Sequence, residues 1–115
     1  MGLLTFILAT SIAVLPPHKY DRPFHGNLVI TEHQNILEQC GWHVACMRGP
    51  YRDFRGVFCE ISIPKQGETI YSLNYSNNWS GKVDSWWTKQ FIKHERGHCN
   101  GWPGYHPNQR LVKRK

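Results

Sequence analysis

Seven histidines occur in 115 residues, and three of them fall within one run, HERGHCNGWPGYH, from His94 to His106. Two histidines four apart on a helix project from the same face one turn apart. Both imidazoles can therefore reach one Zn²⁺ at about 2.0–2.1 Å. Glu95 sits between them and can accept a proton from a zinc-held water without binding the metal. A catalytic zinc keeps three protein ligands and leaves one position for water. Gly101 is placed to end the helix in a left-handed conformation, and Pro103 forbids continuation. The chain can then reverse and bring His106 back toward His94 and His98, which supplies the third ligand from within the same run. Arg96, Gly97 and Asn100 lie toward other faces, and Gly97 permits close approach of a neighbouring element.

The elements that must position this run are partly legible. Asp84 or Ser85 caps a helix whose apolar residues Trp87, Phe91 and Ile92 recur at helical spacing. Trp86 and Trp87 read as core, whereas Trp102, beside the turn after the helix, is placed near the site. Gly56 to Ile63 reads as a strand with Val57, Cys59, Ile61 and Ile63 on one face. It is the candidate edge for binding an extended peptide by strand addition. Thr69 to Tyr75 alternates as a second strand after the turn Pro64-Lys65-Gln66-Gly67. Leu28 to Gln39 reads as a strand running into a helix from about Thr31. Together these predict an α+β fold, a small antiparallel sheet packed on the HExxH helix. Residues 14–27 read as an extended lead-in, 28–109 as the domain, and 110–115 as a basic, frayed tail. Asn74-Tyr75-Ser76 and Asn78-Trp79-Ser80 match the glycosylation sequon, a tripeptide that matters only in a eukaryotic source.

Gly2 to Leu15 is almost unbroken apolar sequence, shorter than the roughly 20 residues of a bilayer-spanning helix. With Ser11-Ile12-Ala13 before Pro16-Pro17 it reads as a secretory signal over residues 1–13, cut after Ala13. An apolar N-terminal helix of the fold and a short anchor are the alternatives. No stable membrane span is expected, and the protein is expected outside the cytoplasm, periplasmic or secreted. Export makes two disulfides the default for Cys40, Cys46, Cys59 and Cys99. Three pairings are open. If Tyr51–Arg55 is the turn of a hairpin, Cys46 faces Cys59 and leaves Cys40 for Cys99. A cysteine-ligated zinc is disfavoured because no CxxC pair is present. The net charge of +6 suits anionic surfaces such as cell-wall polymer, phospholipid or nucleic acid and selects none of them. No phosphate loop, dinucleotide fingerprint or internal repeat is present, which removes NTPases, nicotinamide enzymes and solenoids. Nucleic acid is set aside because the charge is scattered and no recognition module is visible.

The run HExxHxxG followed by a histidine resembles the extended motif of the zincin metallopeptidases, and of the metzincins in particular. In metzincins the third histidine comes six residues after the second, where this chain has Gly104; here it comes eight after, at His106. No Met-turn can follow, since Met1 and Met47 both precede the motif. HERGHCNGWPGYHP is also similar to small exported bacterial and phage-encoded peptidases with an HExxHxxGWPxxH run. The resemblance implies zinc peptidase chemistry on a minimal zincin-like scaffold acting on a peptide or protein substrate as a monomer. His94, His98 and His106 are the implied ligands and Glu95 the general base. Tyr105 either polarises a carbonyl oxygen, as a tyrosine does in several zincins, or packs. The rival reading is a non-catalytic exported binding protein of cell wall or phage. In it zinc is a structural staple, with Cys99 as a fourth donor. His18, His25, His33 and His43 have no ligand-like spacing and read as surface or core residues.

Overall fold

A computed structural model describes residues 11–72 and 79–114. Most of the apolar N-terminal run and both sequon asparagines, Asn74 and Asn78, lie outside the described residues. The elements are β1 (Ile12–Leu15), β2 (Asn27–His33), α1 (Ile36–Gln39), β3 (Cys46–Asp53), β4 (Gly56–Pro64), β5 (Thr69–Ser72), β6 (Trp79–Lys82), α2 (Ser85–Cys99) and β7 (Arg110–Lys113). The fold class is α+β, as its pattern predicts.

β4 is the organising strand. Its alternating apolar residues put Cys59, Ile61 and Ile63 at 0–1 % exposure, where they meet Trp87 and Phe91 of α2 in the core. The sheet around it is mixed, in the order β2-β4-β3, rather than antiparallel throughout. β2 runs parallel to β4 from Asn27 opposite Phe58 to His33 opposite Pro64. The helix expected from Thr31 starts only at Ile36, because Val29, Ile30 and Thr31 are β-branched and pair with β4. β3 returns antiparallel through a tight turn at Phe54-Arg55, closed by an Asp53 carboxylate that accepts from the Arg55 amide at 2.7 Å. Both hydrogen-bonding edges of β4 are thus occupied, so β4 cannot accept a peptide strand. Among the described residues, the unpaired edges of this sheet belong to β2 and β3.

The same register corrects the disulfide pairing. The turn closes Asp53 against Gly56, and a bulge between Arg48 and Tyr51 shifts the ladder, so Cys46 lies opposite Ser62, not Cys59. Two disulfides form, as expected of four cysteines, but they join Cys40 to Cys46 and Cys59 to Cys99. Cys59 points to the core face of β4 and ties it to the last residue of α2.

The ends of the chain also differ from expectation. Arg110–Lys113 is not frayed but pairs antiparallel with Ile12–Leu15. Arg110 bonds Asp21 at 2.6 Å and Arg114 bonds Asp84 at 2.6 Å, so two of the tail's charges are matched. Ala13 and Leu15 are each 3 % exposed. The folded unit therefore extends past residues 28–109 on both sides, and the expected cleavage point after Ala13 falls inside β1.

Helix α2 begins where its cap residue dictates. The Asp84 carboxylate accepts from the Trp87 amide at 3.1 Å, and Trp87 and Phe91 stack at 5.5 Å on the buried face. Trp86 packs partly buried against the same core, as read. At the far end Gly101 has φ +104°, and the Trp102 amide donates to the Gly97 carbonyl at 3.0 Å.

The two disulfides close loops of very different length, with sequence separations of 40 and 6. Loop-closure entropy gives about 4 kcal/mol for Cys59–Cys99 and about 2 kcal/mol for Cys40–Cys46. Replacing Cys59 and Cys99 together by alanine should lower the urea midpoint clearly more than replacing Cys40 and Cys46. Non-reducing peptide maps should show the same two links; equal losses of stability would contradict the tie between β4 and α2.

Candidate metal centre

His94 and His98 lie one turn apart on α2, and the reversal after Gly101 returns His106 to them. The turn is held by Trp102, whose indole N–H donates to the Pro107 carbonyl at 2.9 Å. His106 itself has φ +59°, a left-handed conformation that costs a non-glycine residue about 1–3 kcal/mol and that histidine adopts more readily than most. The result is a nearly equilateral triangle of Nε2 atoms. His94 and His106 are 3.1 Å apart, His98 and His94 3.2 Å, and His98 and His106 3.2 Å.

The second nitrogen of two of the rings decides what this triangle is. His94 Nδ1 lies 2.7 Å from the Val14 carbonyl and His98 Nδ1 lies 2.7 Å from the Trp102 carbonyl. A carbonyl only accepts, so each Nδ1 carries the proton and each Nε2 presents a lone pair to the centre. Two lone pairs facing each other at 3.2 Å repel unless a cation, or a hydrogen donated by the third ring, lies between them. A proton does not meet that need at neutral pH. Burial above all, with repulsion from His98 and His106, outweighs the hydrogen bond to Val14 and lowers the His94 pKa to about 4. His106 is lowered too, by burial and then by His98 and His43. The arrangement fits a metal ion. Nitrogens at about 2.0–2.1 Å from a tetrahedral zinc are about 3.4 Å apart, close to the separations seen.

Among the described residues these three are the one group of histidines, cysteines or carboxylates able to share an ion. His18, His25, His33 and His43 do not join it, as read. Cys99 cannot serve as a fourth donor, because its sulfur is bonded to Cys59. Glu95 is 7 % exposed, with Oε2 3.9 Å from His94 Nε2. Burial away from water raises its pKa to about 7, so it can both take and give a proton near neutrality. Trp102 is at the site as expected, but as a buried wedge at 2 % exposure. Its ring stacks on His98 at 4.7 Å and lies 5.1 Å from His94 and 4.9 Å from His106. It is therefore packing for the ligands and not an open surface for substrate. Tyr105 is 81 % exposed beside His106 in the chain.

Two contributors had no signal in the sequence. The Val14 carbonyl is a backbone group eighty residues from His94. Asp21 reaches Arg96 at 2.9 Å across seventy-five residues. Neither has a residue type or spacing that marks it.

No known protein family, curated protein or solved structure matches the chain. The functional reading stands on the geometry of this centre.

Loss of one ligand from a three-ligand site should exceed the 10–100-fold usual for an outer partner. His106→Ala should accordingly weaken zinc binding by more than about 100-fold. His25→Ala and His33→Ala should leave it unchanged in competition with a chromogenic chelator. Zinc should also raise the melting temperature, and the rise should vanish in His106→Ala. Wild-type affinity in His106→Ala would move the third ligand elsewhere.

Proposed function

We propose that this protein is an exported zinc-dependent metallopeptidase of zincin type, with His94, His98 and His106 as ligands and Glu95 as general base. The observation that carries the reading is the buried carboxylate of Glu95 against an open set of three histidine nitrogens. A structural zinc site has no need of such a group and normally fills its fourth position. With Cys99 held in a disulfide, the staple reading loses the donor it had in the motif. Zinc bound there supplies Lewis acidity, which acidifies a coordinated water and polarises a substrate carbonyl.

The chain's own residues do the rest. The carbonyls of Val14 and Trp102 keep both helix histidines in the tautomer that offers Nε2, which fixes the direction of the ligands before any ion arrives. Glu95 takes a proton from the attacking water at a carboxylate oxygen and delivers it to the leaving amine, from a buried position with Oε2 3.9 Å from His94 Nε2. Trp102 closes the inner side of the centre against water. The substrate class is a peptide or protein. Export is supported by two disulfides, which persist in oxidising compartments, and no described helix is long and apolar enough to cross a membrane. The charge of +6 would favour an anionic cell-wall polymer as surroundings.

Glu95→Gln keeps the shape of the side chain and removes its ability to accept a proton. Zinc content and melting temperature should survive, while peptide hydrolysis falls by about 10²–10⁴-fold. Equal cleavage by both proteins would remove Glu95 as the base. Failure of the zinc-loaded wild type to cleave a broad peptide library would favour a zinc-stapled binding protein.

A further inference from the structure

The segment from Ile12 to Arg22 pairs with β7 along β1, and its polar contacts to α2 fall on one stretch of that helix and its cap, the stretch that bears the ligands. His94 donates to the Val14 carbonyl at 2.7 Å. Pro16 lies so close on Gly97 that a Cβ there would come within 2.6 Å of the proline ring. Arg96 bonds one oxygen of Asp21 at 2.9 Å, and Arg110 of β7 bonds the other at 2.6 Å. Asn100 donates to the carbonyls of Tyr20 at 3.0 Å and Arg22 at 2.8 Å. Arg110 closes the set by donating to the Pro16 carbonyl at 2.7 Å. The contacts span residues 94 to 100, which hold both helix ligands, and none goes to the first half of the helix.

We propose that Ile12–Arg22 is a positioning strap for the metal centre, in which the Val14 carbonyl sets the tautomer of His94 and the Asp21 carboxylate clamps the ligand-bearing turn of α2 to β7. The inference rests on the three histidines being metal ligands. Its physical basis is that an imidazole without a partner on Nδ1 exchanges tautomers and turns about its last bond, and a ligand left to do so binds metal less tightly. Asp21 acts through Arg96 and Arg110. Two guanidinium groups share one partly buried carboxylate, and its loss leaves both without a counter-charge.

The test uses the full oxidised chain with Asp21→Asn and Gly97→Ala, and Asp84→Asn as the comparison. Asp84 likewise pairs with an arginine of the C-terminal segment, Arg114, but at the other end of α2. Zinc affinity is read by chelator competition, and the protonated ring nitrogen of His94 by nitrogen-15 NMR of the metal-free protein. The full chain should show Nδ1 protonated. Asp21→Asn and Gly97→Ala should weaken zinc binding about 10–100-fold and give mixed tautomers. Asp84→Asn should lower the melting temperature without either change. The strap is overturned if Asp21→Asn binds zinc like the full chain, or if both aspartate variants lose affinity only in step with stability. If the full chain binds no zinc, the metal reading fails, and the His94 tautomer in the metal-free variants still judges the strap.

Discussion

Three imidazole nitrogens held 3.1–3.2 Å apart, two of them with their lone pairs turned inward, form an arrangement that the rest of this small protein must enforce. In water the rings would turn away from one another. Here two of them cannot, because their outer nitrogens are committed to carbonyls at 2.7 Å, and Trp102 fills the space behind. The nitrogens are placed without an ion, and a cation held among them would relieve the unfavourable approach of the lone pairs. Preorganisation of this kind strengthens binding by removing the cost of ordering the ligands at that moment.

A helix can hold two ligands only if it is itself fixed in rotation and translation. At its start α2 is set by Asp84, along its buried face by Trp87 and Phe91, and at its end by the bond from Cys99 to Cys59. That last bond falls one residue beyond His98. It transfers the rigidity of β4, a strand paired on both sides, directly to the ligand-bearing turn. The disulfide is thus part of the centre's support as well as a general staple, which matters in a chain whose core is small for its length.

The local parts of this arrangement were legible in the sequence. The HExxH spacing, the Asp84 cap, the Gly101 reversal and the alternation of β4 each depend on residues a few positions apart, where periodicity and turn chemistry act. The pairings between distant segments were not. Nothing local tells Cys59 that its partner is Cys99, a residue forty positions away on α2, and the turn that closes Asp53 against Gly56 had to be known before Cys46 could be set aside. The same limit hid the parallel pairing of β2, which took the central strand out of reach of substrate. It also hid β7, since residues 110–115 read as a solvated basic tail until Asp21 is seen against Arg110 and Asp84 against Arg114.

The most consequential ambiguity in the sequence concerns Ile12 to Leu15. Apolar composition and small residues before a proline pair are what a signal peptidase site looks like, and they are equally what a short buried strand looks like. Both readings place Ala13 in an apolar environment, a translocation channel in one case and the core in the other. What separates them is the backbone, since only the folded reading uses the Val14 carbonyl as a hydrogen-bond acceptor and the Ser11 carbonyl to receive the Arg114 amide at 3.0 Å. Side-chain type cannot report on a backbone acceptor. The contact that orients His94 is therefore encoded by where β1 pairs, and Asp21 on Arg110 and Asp84 on Arg114 hold the paired C-terminal segment in place.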